Sequence, residues 1–391
     1  MKHKKFYAKL IAVVLLMCLL APAIAANAAE PSWTGLASMQ YERYYFQTEV
    51  LDGKIYAIGG SGAGVLSSVE AYDPNTNMWT TLEPMTTARR HHQTEAVNGK
   101  IYALGGHDAT ATLSSTEVYD PSTNIWTPTA SMPLALWLFQ TEVIGNKIYT
   151  FGGKNDNQYL PYVRAYDTNT NTWTSMASMS TARSHFQTIV LDDKIFVFGG
   201  QGVNGVSLSS TEVYNPVTNI WTTLAPMSIA RYDFEAEVID GKVYVISGYG
   251  SGGAQHSVEV YDPGSDSWTT LASIPTARLE FRTEVIEGRI YAIGGYDESV
   301  PISSTEVYDP DTNTWATAAS MITVRENFQT EVIDNTIFAI GGYGGDYGGV
   351  LYLPLRDVEC YNPTATPPDA PTNLTATAGD AQVGLAWEPA A

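Results

Sequence analysis

The chain has 391 residues, with 21 lysine or arginine and 41 aspartate or glutamate side chains and a formal charge of −20. That balance repels nucleic acid and anionic membrane surfaces and excludes partners held mainly through phosphate. Cys18 and Cys360 are the only cysteines, so a framework of disulfides is excluded as well.

The N-terminus is a segment of its own. Met1–Lys9 carries four lysines, Leu10–Ala21 is apolar, and Ala26-Asn27-Ala28 offers small residues for cleavage. Their order predicts a secretory signal peptide over 1–28, with an apolar core short for a membrane span. Cys18 falls inside it. The mature chain keeps 17 basic and 41 acidic side chains, a charge of −24, and only Cys360. A secreted protein, extracellular or held at the cell surface and not inserted in the membrane after cleavage, is expected.

From Trp33 onward the sequence repeats. A double glycine falls at Gly59-Gly60, Gly105-Gly106, Gly152-Gly153, Gly199-Gly200, Gly294-Gly295 and Gly341-Gly342, with Ser247-Gly248 completing the series at steps of 46 to 48 residues. A fixed period of this size marks a repeat architecture and overrides any domain count drawn from length. Each copy carries four short runs. They resemble Gln47–Val50, Lys54–Gly60, Ser114–Pro121 and Trp79–Met85, and are bounded by turns such as Asp52-Gly53 and Asn98-Gly99. Val, Ile, Tyr, Thr and Phe dominate these runs, which predicts strands and hairpins. Seven four-stranded units predict an all-β fold, a seven-bladed β-propeller. The seventh unit lacks a tryptophan run, and Trp33–Met39 supplies a spare copy at the front. The N-terminal strand is therefore expected to close the last blade, which removes exposed sheet edges.

The order R-x-x-F, V-x-x-x-K-I-Y-x-x-G-G, E-V-Y-D-P-x-T-N-x-W-T-x-L-x-x-M resembles the kelch repeat and runs from Trp33 to Pro363. The propeller is bounded at 29–363, a linker at 364–368. Residues 369–391 resemble the first strands of a fibronectin type III module with Trp387 as core tryptophan. So short a stretch cannot bury a sandwich core, and a longer natural protein is expected.

Positions shared by the copies read as scaffold. The Asp-Pro-x-Thr-Asn turns bring too few carboxylates for calcium and read as turn chemistry. Arg43, Arg89, Arg183, Arg231, Arg278 and Arg325 recur at one position, with Leu136 the exception. Glu49, Glu95, Glu142, Glu237, Glu284 and Glu331 lie six residues later, with Ile189 the exception. The even offset predicts one strand face, where these residues pair with each other or with neighbouring backbone as a structural ring.

Function is expected where copies differ. One variable set follows the repeated arginine; the other opens the loop after the double glycine. Strand alternation brings both to one rim. Its second to fourth blades carry Arg90, His91, His107, Trp137, Lys154 and His185. Its fifth to seventh carry Asp233, Glu280, Asp297, Glu298, Glu326 and Asp346. The cationic and aromatic sector suits an anionic or glycan ligand, with tyrosines at Tyr232, Tyr249 and Tyr296 as further stacking faces. The loop Tyr343–Leu355 is longer than its equivalents and is a candidate to reach over the rim.

Some secreted kelch propellers resemble galactose oxidase, which implies copper held by His and Tyr with a Tyr–Cys crosslink. Here Cys360 replaces a valine of the third strand, a buried position, and the histidines lack ligand spacing. No catalytic residue, cofactor or metal is assigned. The expected function is a non-catalytic binding or adhesion module, acting as a monomer, for a glycan or an extracellular protein. The alternative is a carbohydrate-active enzyme, of the galactose-oxidase, epimerase or lyase kind, with its site on the same rim.

Overall fold

The computed structural model describes residues 31–345, 352–364, 372–379 and 382–388. The signal segment, Asp346 with the middle of the long loop, linker residues 365–368 and the Trp387 side chain lie outside the described residues. Ser32–Pro363 is one compact unit. Beyond it, Thr372–Gly379 and Gln382–Glu388 pair as an antiparallel hairpin.

The described residues hold seven four-stranded antiparallel sheets and one short helical turn, Val203–Gly205. The first sheet runs Gln47–Leu51, Lys54–Ile58, Val69–Asp73, Met78–Leu82. The last runs Gln329–Ile333, Thr336–Ile340, Val358–Tyr361, and its outer strand is Thr34–Gly35, from the other end of the chain. The turns follow from sequence. Asp52 and Gly53 have φ of 51° and 69°, the pair of positive values a type I′ hairpin demands.

Sheets pack face to face around an axis as a β-propeller. Second strands are wholly buried after their first residue; Ile55, Tyr56, Ala57 and Ile58 are at most 5% exposed. Each innermost strand touches the next. The Gln47 amide donates to the His92 carbonyl at 2.9 Å, and Gln329 donates to the Phe46 carbonyl at 2.7 Å, joining the seventh sheet to the first. Outer-strand tryptophans reach back to the preceding sheet. Trp79 Nε1 donates to Ala37 O at 2.9 Å, and Trp33 repeats the contact on Ala319 at 3.0 Å. The double glycine is sterically fixed: Gly60 has φ of 101°, and a Cβ there would lie 2.6 Å from Phe46 Cβ.

The six arginines are fully buried, but they do not pair with the glutamates six residues on. Arg43 Nη2 meets Glu70 at 2.7 Å, and Nη1 donates to the Gly59 and Ser68 carbonyls. Arg89–Glu117, Arg183–Glu212, Arg231–Glu259, Arg278–Glu306 and Arg325–Glu359 repeat the pair at 2.5–2.8 Å. The expectation of one shared strand face fails because the arginines precede the strand. A residue with positive φ, Tyr45 at 53° in the first sheet, stands between and breaks the alternation. Each glutamate sits on the third strand of its sheet. Glu70 also accepts the Gln40 amide at 2.6 Å, so the pair clamps the incoming segment onto the sheet.

The third sheet replaces both partners. Leu136 stands for the arginine and is buried; Arg164 stands for the glutamate, its guanidinium 5.1 Å from the Tyr162 ring. Leu136→Arg alone should therefore cost roughly 3–5 kcal/mol, because the new charge is buried beside Arg164 without a carboxylate partner. Adding Arg164→Glu should restore most of that loss. Urea midpoints of the two variants check this; losses that merely add would contradict it.

Candidate functional site

The two variable sets meet. Tyr44 bridges Ser61, Arg90 bridges His107, Trp137 bridges Lys154, Ser184 bridges Gln201, and Leu279 bridges Tyr296. Tyr232 pairs with Tyr249 and Glu326 with Tyr343 in the same way. The next residue in every copy has positive φ: Tyr45, His91, Leu138, His185, Asp233, Glu280 and Asn327, all between 48° and 53°. These seven side chains line the wall of a cavity of 450 Å³ at the mouth of the central channel. Its deeper layer is formed by the first residues of the innermost strands, Gln47, Gln93, Gln140, Gln187, Glu235, Arg282 and Gln329.

One half of the wall is aromatic. The Tyr45 and His91 ring centroids lie 3.9 Å apart, and His91 and His107 each lie within 6 Å of Trp137 edge-on. Lys154 Nζ sits 4.3 Å from the Tyr159 ring and 5.8 Å from Trp137. The other half is acidic. Glu280 accepts the Asn327 amide at 2.5 Å, and Glu235 is bound by Arg282 at 2.9 Å. Asp233 lines the cavity, and none of the hydrogen bonds among the described residues reaches its carboxylate.

Enclosure by the channel wall sets the protonation states, although these side chains keep some accessible surface. Burial pushes His91 down to about 3 and His185 down to about 4. Both rings are neutral at neutral pH, so the sector carries less positive charge than its composition suggests. Burial raises Asp233 to about 7, and burial with Asp233 nearby raises Glu280 to about 6.

Of the ten side chains singled out from the sequence, His91, Trp137, Lys154 and His185 line the cavity. Arg90 and His107 are half-buried at their bridge outside the lining, while the Tyr232 ring lies 5.2 Å from Tyr249, tilted by 40°. Tyr296 and Glu326 also sit on bridges outside the lining. Cys360 is half-buried, where a fully buried position was expected, because its strand edge is covered only by the two-residue strand Thr34–Gly35. His92 is a lining residue that the sequence reading passed over. It stands where the other six sheets have phenylalanine, is fully buried, and both ring nitrogens lack partners. Burial holds it neutral, well below the ordinary range. The signal was there: Phe46, Phe139, Phe186, Phe234, Phe281 and Phe328 are the rule it breaks.

Glu49, Glu95, Glu142, Glu237, Glu284 and Glu331 lie on the innermost strands, and each is hydrogen-bonded to a threonine of an adjacent sheet. Thr283 Oγ1 donates to Glu237 at 2.6 Å; Thr94, Thr141, Thr188, Thr330 and Thr48 serve the others. Burial raises Glu49, Glu142, Glu284 and Glu331 to about 7 and Glu95 and Glu237 to about 8. Among the described residues, no group of three or more His, Cys, Asp or Glu could hold a metal ion.

The KLHDC2/KLHL20/DRC7 kelch-repeats domain matches residues 139–342, and the kelch motif matches 42–86, 88–133 and 325–365. The chain belongs to the kelch-repeat family. The solved structure of YjhT is 15% identical with a TM-score of 0.58, over 72% of this chain and 99% of that one, a likeness of fold alone. No curated protein matches the chain. Kelch repeats are commonly protein-binding propeller modules, and in this kelch chain the seven residues that follow the bridges line one cavity.

Two predictions follow from the protonation states. The folded glutamate ring keeps protons up to pH 7–8 that an unfolded glutamate, titrating near 4.5, has lost. Stability therefore falls as pH rises from about 5 to about 8, and Glu95→Gln with Glu237→Gln should flatten that slope. Denaturant midpoints across this range check it, and a midpoint that climbs would contradict it. Separately, His92→Phe should stabilise the chain by about 1–3 kcal/mol by removing unsatisfied buried nitrogens. A lower melting temperature would contradict that.

Proposed function

We propose that the chain is a seven-bladed kelch propeller, closed by its N-terminal strand, that serves as a secreted, non-catalytic binding module. Seven four-stranded sheets, the Trp33–Ala319 contact and the Gln329–Phe46 contact support the blade count and the closure. The N-terminal charge and apolar order support export, and the paired C-terminal strands support the start of a fibronectin type III module. The ligand is an extracellular protein or a glycan.

One observation carries the reading. The buried arginine–glutamate pairs repeat and are spent on packing, whereas the residue after each bridge, different in most copies, lines one cavity with polar and aromatic walls. A second reading, a carbohydrate-active enzyme, is favoured by one feature: Asp233 and Glu280 are neighbouring carboxyl groups with raised proton affinity, a property common in acid–base catalysis.

The test is a glycan array and an extracellular-protein binding screen with the full chain, alongside Trp137→Ala and a turnover assay on any glycan retained. Loss of about 1 kcal/mol or more of affinity in Trp137→Ala, without turnover, is the expected outcome. Ligand held equally by Trp137→Ala would move the site off the rim. Chemical conversion of the glycan would replace the binding reading with the enzymatic one.

A further inference from the structure

We propose that the cavity binds an organic cation, an ammonium or guanidinium group on an apolar body, with its charge at Asp233 and Glu280 and its body against Tyr45 and Trp137. This deepens the binding reading and rests on it.

Glu235 holds Arg282 Nη1 at 2.9 Å; the same nitrogen donates to the Phe281 carbonyl and Nε donates to Gln329, so two of the three guanidinium nitrogens are engaged. Glu280 has one amide, from Asn327. Asp233 has no hydrogen-bond donor among the described residues, although it is enclosed in the wall. A partly enclosed carboxylate with only solvent for a partner is open to a charged donor brought by a ligand.

The cations nearby do not meet this need. Lys154 lies over Tyr159 and forms no ion pair among the described residues. His91 and His185 are neutral at neutral pH. Arg282 is committed through Nη1 and Nε and forms no hydrogen bond with Asp233 among the described residues, although its charge acts on Asp233. An anionic ligand could draw on Lys154 but would share the cavity with the Asp233 and Glu280 carboxyl groups, which repel it. A cation would give Asp233 its missing donor.

The opposite wall completes the recognition. Tyr45, His91 and Trp137 form a continuous arc with centroid separations of 3.9 and 5.6 Å. Aromatic faces attract alkylammonium and guanidinium groups and cover their methylene stems. The 450 Å³ cavity is sized for a small molecule or for one long side chain of a protein. A free amine and a lysine or arginine side chain of a partner offer the same chemistry from two sources.

The experiment is calorimetric titration of the full chain with Nα-acetyl-lysine methylamide and Nα-acetyl-arginine methylamide. The neutral isostere Nα-acetyl-norleucine methylamide is the control. A second arm screens displayed peptides rich in lysine or arginine. Saturable binding of a basic probe, weakened about tenfold or more by Asp233→Asn, is expected, because a charge-assisted hydrogen bond is lost. Affinity should also rise between pH 5.5 and 8 as Asp233 ionises, and this dependence should vanish in Asp233→Asn; melting curves confirm that the variant is folded. Binding by the peptides alone assigns the site to a partner side chain, and binding by the free probes assigns it to a small amine. Equal binding of the norleucine control, or no binding in either arm, overturns the proposal. A glycan or protein ligand that depends on Trp137 but ignores Asp233→Asn would overturn it while leaving the binding module intact.

Discussion

The fold depends on a buried arginine–glutamate pair used six times. Each guanidinium is fully enclosed and meets a carboxylate at 2.5–2.8 Å, with further bonds to backbone carbonyls at the double glycine. Such a pair contributes little net stability against an apolar substitute of similar volume, but losing one partner is severe. Its effect is positional. The arginine anchors the segment that enters the sheet, while the glutamate also takes amide donors from that segment's start, as Thr86 and Thr87 do on Glu117. The third sheet, where Leu136 and Arg164 change together, shows that the pair is kept or abandoned as a unit.

The residue two positions after each anchor turns with positive φ. That turn separates scaffold from site. Before it, the arginine points into the packing; after it, phenylalanine or His92 fills the core. At the turn itself the side chain is delivered to the cavity. Non-glycine residues in this conformation carry backbone strain, and strain held in place by surrounding structure gathers at functional sites. Seven copies of one strained turn give seven independently variable side chains around one opening. The sequence has used that freedom unevenly, with aromatic rings and neutral histidines on one side and carboxylates on the other.

Much of this architecture was legible because a repeat multiplies each signal. The period, the Asp-Gly and Asn-Gly turns and the spare Trp33 run led directly to four-stranded sheets and to Thr34–Gly35 pairing with Val358–Tyr361. The shared rim was legible from strand alternation. The partner of the arginine was not. An even offset suggested Glu49, but alternation holds only within a strand, and the turn at Tyr45 cancels it. The correct partner, Glu70, lies 27 residues away, and only the joint change at Leu136 and Arg164 points to it. The histidines misled in the same way. Composition counts them as cationic, whereas burial in the channel keeps them neutral.

On the proposed function, shared residues hold the fold and variable residues serve a ligand at some expense of stability. Thermal denaturation of Glu306→Gln and Asp233→Asn, compared side by side without any ligand, tests it most directly. Glu306→Gln should lose roughly 3–5 kcal/mol by stranding Arg278. Asp233→Asn should hold or raise the melting temperature, because an unpartnered enclosed carboxylate is removed. A destabilised Asp233→Asn beside an unaffected Glu306→Gln would reverse the roles assigned to the two sets and contradict the account.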